Sequence, residues 1–280
     1  MAIYKGNKKV VAVYKGSTPI NKIYKGVTLV FQKSGGGGST HLIEGTATGN
    51  FDLKINKQLI PITPDADGKW FYDIDKELIS LNSLFNRSDE VTSVDLSNLD
   101  LTGKSIRSMF NACSNIVSIK FNNTKIMKPT EISTMFHGCS SLTSIDLSSF
   151  DTSDISKINF LFSNCSSLVS LDLSSFDTSN IINAAAIFEY CSSLVSLDLS
   201  NFNTSKLVSA NSLFEGCTSL ETLDLSNFDM SKATSYSNIF KNCTSLSTIK
   251  CKQAFKDWCA LYKDTIALTN YATINWEIVA

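Results

Sequence analysis

Between about residues 91 and 250 the hydrophobic positions return every 26 residues. Cysteine keeps this beat at Cys113, Cys139, Cys165, Cys191, Cys217 and Cys243. Phenylalanine keeps it three positions earlier, at Phe110, Phe136, Phe162, Phe188, Phe214 and Phe240. Self-similarity at such a period marks a solenoid, whose units bury their apolar side only by stacking on neighbours. Within a repeat the pattern changes once. LVSLDLS at 168–174 alternates apolar and polar residues, which predicts a short strand with Leu171 and Leu173 inward and Asp172 outward. The next part, NIINAAAIFEYC at 180–191, spaces Ile181, Ala184, Phe188 and Cys191 at three- and four-residue steps. That spacing predicts a short helix, capped by Asp177 or Ser179. The fold class expected is therefore α/β, a right-handed leucine-rich-repeat solenoid of 26-residue repeats. Its parallel strands, about seven of them, centre near residues 95, 120, 146, 172, 198, 224 and 249.

The recurring segments are MFNACSNI, MFHGCSSL, LFSNCSSL, IFEYCSSL, LFEGCTSL and IFKNCTSL. They resemble the signature of the BspA-like leucine-rich repeat, over about 160 residues. One copy departs from it: IKFNNTKIMKPT at 119–130 replaces the LDLSSFDTS stretch and puts Lys120 at the Asp position. The resemblance implies a bacterial surface-associated binding or adhesion protein without known catalysis.

The ends of the chain follow other patterns. IYKG at 3–6, VYKG at 13–16 and IYKG at 23–26 repeat with period ten, which predicts a four-stranded antiparallel meander over 1–33. So short a segment cannot build a core of its own and should dock onto a partner. Its iterated YKG resembles the N-terminal attachment segments of fibre-like phage virion proteins, which implies anchoring by Tyr4, Lys5, Tyr14, Lys15, Tyr24 and Lys25. SGGGGS at 34–39 is a flexible linker. Residues 40–80 read as β-hairpins covering the N-terminal end of the solenoid, with SLNSLF at 80–85 a degenerate half-repeat opening the 81–250 array. Beyond it, residues 251–280 read as a C-terminal cap, an amphipathic helix in KQAFKDWCALYKDTI and a closing strand in ATINWEIVA.

Charge adds an asymmetry to this layout. The 280 residues carry 25 basic and 26 acidic side chains, but residues 1–40 hold seven lysines and no acid. The remainder therefore has 18 basic against 26 acidic groups, a net −8. A net charge near zero argues against nucleic acid as a partner. No apolar run is long enough to span a membrane, and the first residues lack the apolar core of a secretory signal.

Few residues carry chemistry. Two histidines, His41 and His137, are too few for an acid–base or metal apparatus, and no catalytic residue, metal site or cofactor is expected. Single cysteines on an apolar stripe lack the paired spacing of metal ligands and read as small buried hydrophobes with reduced thiols. GKS at 103–105 resembles the end of a phosphate loop, but Asn98 stands where the leading glycine is required. DADG at 65–68 reads as a hairpin turn, since a calcium loop would need a carboxylate where Lys76 stands.

The outward Asp column is the best binding candidate. Asp146, Asp172, Asp198 and Asp224 recur on successive strands, preceded by Ser144, Ser170, Ser196 and Thr222 and closed by Lys120 and Lys250 at the two ends. Either it is a solvated face repeated by duplication, or it binds a glycan, a cationic partner or calcium. The function expected is non-enzymatic binding and adhesion. The first reading is a phage virion component held to other virion or surface proteins through residues 1–33, presenting the solenoid to a bacterial surface glycan or protein. The alternative is a cell-surface BspA-like adhesin, and a homo-oligomer is compatible with either.

Overall fold

The computed structural model describes residues 3–5, 8–10, 13–15, 18–20, 41–55, 58–74, 80–121 and 126–279. Its centre is a stack of coils at the predicted 26-residue interval. Seven phenylalanines run through it, Phe85 included. Successive rings from Phe85 to Phe240 lie 5.1–6.1 Å apart and within 16° of parallel. Trp70 closes the N-terminal end of this stack against Phe85 at 5.6 Å. Each ring is fully buried, so every coil offers its neighbour a complete apolar face.

The α/β class is corrected by the structure. Among the described residues the one α-helix is α1, Gln253–Tyr262, outside the repeats. The segments predicted as helices are runs of tight turns with two left-handed residues four apart: Ser108 and Ala112, Thr134 and Gly138, Phe160 and Asn164, Ala186 and Tyr190, Ser212 and Gly216. An α-helix cannot include such residues. The amides explain what replaces it. Ala186, Phe188 and Tyr190 donate to Asn211, Leu213 and Glu215 of the next coil, while Glu189 and Cys191 donate three residues back within their own. Half of the donors are thus spent between coils, and the apolar stripe follows a turn ladder rather than a helix. The solenoid is mostly β.

Strands form where expected at five of the seven centres, as β9 (Val91–Asp95), β10 (Ser118–Lys120), β11 (Ser196–Asp198), β12 (Thr222–Leu225) and β13 (Thr248–Lys252). The DLS segments around 146 and 172 follow the same path without ladder pairing. Pairing is parallel between β9 and β10 and throughout β11, β12 and β13. A second parallel ladder of single bridges links Lys157, Asn183, Ser209 and Ser235.

Both ends are closed by added strands. β5 (His41–Ala47) lies antiparallel to β9 on one side and to β8 (Lys69–Ile74) on the other, so the solenoid sheet continues into a hairpin layer. β6 (Phe51–Ile55) and β7 (Gln58–Ile62) form a second hairpin. DADG is a turn as read: Asp65 accepts from the amides of Asp67 and Lys69, and Gly68 has φ +74°. At the other end α1 precedes β14 (Asn275–Val279), parallel to β13. Near the N-terminus β1 (Ile3–Lys5) pairs with β2 (Lys8–Val10), and β3 (Val13–Lys15) with β4 (Thr18–Ile20). Among the described residues these are two two-stranded sheets, and the rest of the meander expected over 1–33 lies outside them. Tyr24, Lys25 and the linker 34–39 lie outside the described residues.

Candidate binding face and its ladders

Each outward aspartate closes the turn after its strand. The Oδ1 atoms of Asp95, Asp146, Asp172, Asp198 and Asp224 accept from the amides of Ser97, Ser148, Ser174, Ser200 and Ser226, at 2.8–3.0 Å. The D-L-S spacing thus has a local cause, an Asx turn repeated on each coil. Hydrogen bonds from the Ser174 amide and hydroxyl hold the Asp172 carboxyl below its ordinary range. At Asp224, burial opposes ionisation, but Lys250 and Ser226 outweigh it and the net shift is downward.

A lysine pairs with an outward aspartate near each end of the column. Lys120 Nζ sits 3.0 Å from Asp95 Oδ2, and Lys250 Nζ 2.7 Å from Asp224 Oδ2. Asp146, Asp172 and Asp198 lie between them with exposed side chains, beside exposed Ser144, Ser170, Ser196 and Thr222. A recess of about 40 Å³ separates two coils here, lined by Asp146, Ser148, Asp172 and Ser174 among others. Among the described residues no group of three His, Cys, Asp or Glu side chains is arranged to hold a metal ion. The anchoring candidates Tyr4, Lys5, Tyr14 and Lys15 lie on β1 and β3.

A second acidic column stands five residues further on, where Asp151, Asp177, Asn203 and Asp229 cap the turns at Ser153, Ser179, Ser205 and Ser231. Asp177 therefore caps a turn, not a helix. The F-D-T-S motif was its visible signal. Its threonine points inward. Thr204 Oγ1 donates to the Asp229 carbonyl at 3.0 Å and accepts from the Asp229 amide at 2.7 Å.

The cysteine ladder is buried and free of disulfides. Each thiol also has a polar partner. The six Sγ atoms donate to the carbonyls of Phe85, Phe110, Phe136, Phe162, Phe188 and Phe214, at 2.9–3.3 Å. Burial pushes the Cys113 and Cys243 thiols up to about 12.

A cluster invisible to pattern reading lies one position after each phenylalanine. Glu215 is buried and bonds Lys241 Nζ and Ser212 Oγ, both at 2.7 Å. Burial works against the Glu215 anion, yet hydrogen bonds from Lys241, Ser212 and Tyr190 set its pKa below the ordinary value. His137 occupies the same position two coils earlier than Glu189, edge-on to Phe160, and burial lowers its pKa. Glu189, which accepts from Ser163 Oγ at 2.9 Å, acts on His137 in the opposite, raising sense.

No helix among the described residues is long and apolar enough to cross a membrane. Comparison with curated proteins and with solved structures gives no match. A family model described as "Mycoplasma protein of unknown function, DUF285" matches residues 79–194 and 166–260. These stretches coincide with the 26-residue array, in keeping with a BspA-like repeat protein, and span well over half of the sequence. The chain belongs to this DUF285 family.

Proposed function

We propose that this protein is a non-catalytic recognition protein displayed at a surface, with the solenoid as the binding part and residues 1–33 as the attachment part. The observation that carries this reading is the outward face. It presents the same Ser/Thr-x-Asp group on consecutive coils, about 4.8 Å apart. Such a face is suited to a polyhydroxylated or cationic target that is itself repetitive. Membership of the DUF285 family supports a surface-binding role.

The finer reading is display on a phage particle, and the YKG repeat favours it. The family match favours the second reading, a cell-surface adhesin. Two measurements test the proposal. A chain lacking residues 1–38 should stay folded but fail to copurify with particles, and normal incorporation of that deletion would refute attachment. An Asp172→Asn and Asp198→Asn double variant, screened on a bacterial glycan array, should keep the turns while losing target binding at least tenfold. Undiminished binding would reduce the face to a solvated surface.

A further inference from the structure

We propose that the open edge of β14 pairs, antiparallel and about a two-fold axis, with the β14 edge of a second copy of this chain. The pairing goes beyond the recognition reading and does not depend on what the outer face binds.

Among the described residues β14 is the outer strand of the sheet that runs from β11 through β12 and β13. Its ladder fixes which backbone groups face outward. The Asn275 amide donates to the Ser247 carbonyl at 2.7 Å, so Asn275, Glu277 and Val279 direct their backbone groups at β13. Alternation then turns the amides and carbonyls of Trp276 and Ile278 towards the open edge. Ile274, extended at φ −64° and ψ 129°, stands in the same phase. Natural edges are guarded by lysine, proline or a bulge. β14 has no lysine or proline, and its register with β13 runs through all five residues without a shift. At the opposite end, the edge strand β8 has β3 of the same chain against it.

The side chains at this edge are incompletely covered. Trp276 and Ile278 are in register with Ile249 and Cys251, so they lie on the core face of the sheet. Ile249 and Cys251 are fully buried, yet Ile278 is 45% exposed. Trp276, packed 5.2 Å from Tyr271, is only half-buried. One further strand would cover both.

A second β14 fits that place for a geometric reason. A two-fold axis normal to the sheet keeps the core faces of both copies on one side. Hydrogen-bonded pairs then form only between residues whose backbone groups point outward. One register sets Trp276 opposite the partner's Trp276 and Ile274 opposite the partner's Ile278, each pair exchanging both backbone bonds. The same register sets Asn275 opposite the partner's Glu277, amide against carboxylate, on the outer face. Sliding the strands by two residues would instead oppose Glu277 to the partner's Glu277, and like charges directly opposite are unfavourable. In the favoured register the outward row Asp224, Lys250, Glu277 of one copy runs on into the partner's Asn275 and Thr248. The two outer faces thereby join into one surface.

Sedimentation velocity on the full-length chain at rising concentration should show a monomer–dimer equilibrium without larger species, because a two-fold contact closes. Ile278→Pro removes an outward amide that β13 does not use, and should weaken the dimer at least tenfold with the melting temperature unchanged. Asn275→Asp sets a like charge against the partner's Glu277 and should weaken the dimer about fivefold, whereas Asn275→Lys should strengthen it by a similar factor. Asn275 is exposed, so these two variants test the register even where proline disturbs the strand. Asn275→Cys chains mixed with Glu277→Cys chains should form a disulfide-linked dimer under mild oxidation that neither variant forms alone, since the native thiols are buried. A chain that stays monomeric at every concentration overturns the pairing, as does a dimer that Ile278→Pro and both Asn275 variants leave unchanged. Species that keep growing beyond the dimer would mean that β14 joins a different edge, and overturn it too.

Discussion

The thiol of Cys191 donates to the carbonyl oxygen of Phe162, one coil back, at 3.2 Å, and the amide of Cys165 already bonds that oxygen at 3.0 Å. The contact joins the two most regular columns of the sequence. A small apolar residue would fill the space, but only cysteine among the small apolar residues adds a donor there. The aligned phenylalanines also fix the position of every carbonyl that the thiols reach.

This arrangement predicts an alkaline limit to stability. All eight cysteines are buried, and burial raises their pKa, to about 12 at Cys113 and Cys243. A thiol whose folded pKa lies above its unfolded value of 9.0 contributes fully below that value. The contribution is lost as pH rises from there towards 12. Each thiol should forfeit about 1.4 kcal/mol per pH unit in that window. Urea unfolding at pH 8 and pH 10 should show a large drop in midpoint, and Cys165→Ala with Cys191→Ala should reduce it by about a quarter, the share of two thiols in eight. Native thiols should resist labelling at pH 8 until the chain opens.

The acid limb has a different origin. Glu215 is held below its ordinary 4.5 despite burial, through Lys241, Ser212 and Tyr190. Its stabilising contribution is present above pH 4.5 and disappears as pH falls through the lower, folded value. Lys241→Met should destabilise by roughly 1–3 kcal/mol at pH 7, because the buried carboxylate loses its counter-charge. The penalty should shrink when both proteins are compared at acid pH, where Glu215 is protonated. Denaturation of the two proteins at pH 7 and in steps below pH 4.5, through the lowered folded value, checks this.

Tyr190 covers Gly216. A Cβ at position 216 would fall 2.3 Å from the ring's Cδ1, and the residue also has φ +75°. Gly103 has a similar φ of +71° but open space around it. Gly103→Ala should therefore lose only the left-handed strain, about 1 kcal/mol. Gly216→Ala should lose roughly 2–3 kcal/mol. In a Tyr190→Ser background the two substitutions should converge, a coupling that a double-mutant cycle of melting temperatures would read.

Thr204 bridges two coils with both ends of its hydroxyl. Thr204→Val keeps the shape and leaves the Asp229 amide without that acceptor, which should cost about 1–3 kcal/mol. The equivalent position in the next repeat, the last before the C-terminal cap, is Met230, also buried. Thermal unfolding of Thr204→Val should thus fall well outside the range of surface variants such as Ser205→Ala.

Much of this molecule was legible one residue at a time. Period and burial are properties of local pattern, so Phe110 to Phe240 and Cys113 to Cys243 identify the stack, its direction and its core without coordinates. The hairpins of residues 41–74, the helix 253–262 and the strand 275–279 follow from equally local signals. The outward Asp column and its two lysine ends were visible too, because alternation assigns a face. What alternation could not say is that Asp172 caps its own turn through Ser174.

The helix assignment failed for a specific reason. Apolar residues at three- and four-residue steps serve a helix and a turn ladder alike, and what separates them is where the amides go. At Phe188 and Tyr190 the partners are Leu213 and Glu215, 25 residues away. No local preference encodes that choice. It exists only once a neighbouring coil stands about one strand spacing away with its carbonyls aligned. Stacking supplies those acceptors, and with them the chain can hold Ala186 and Tyr190 at left-handed φ, a conformation each would avoid alone.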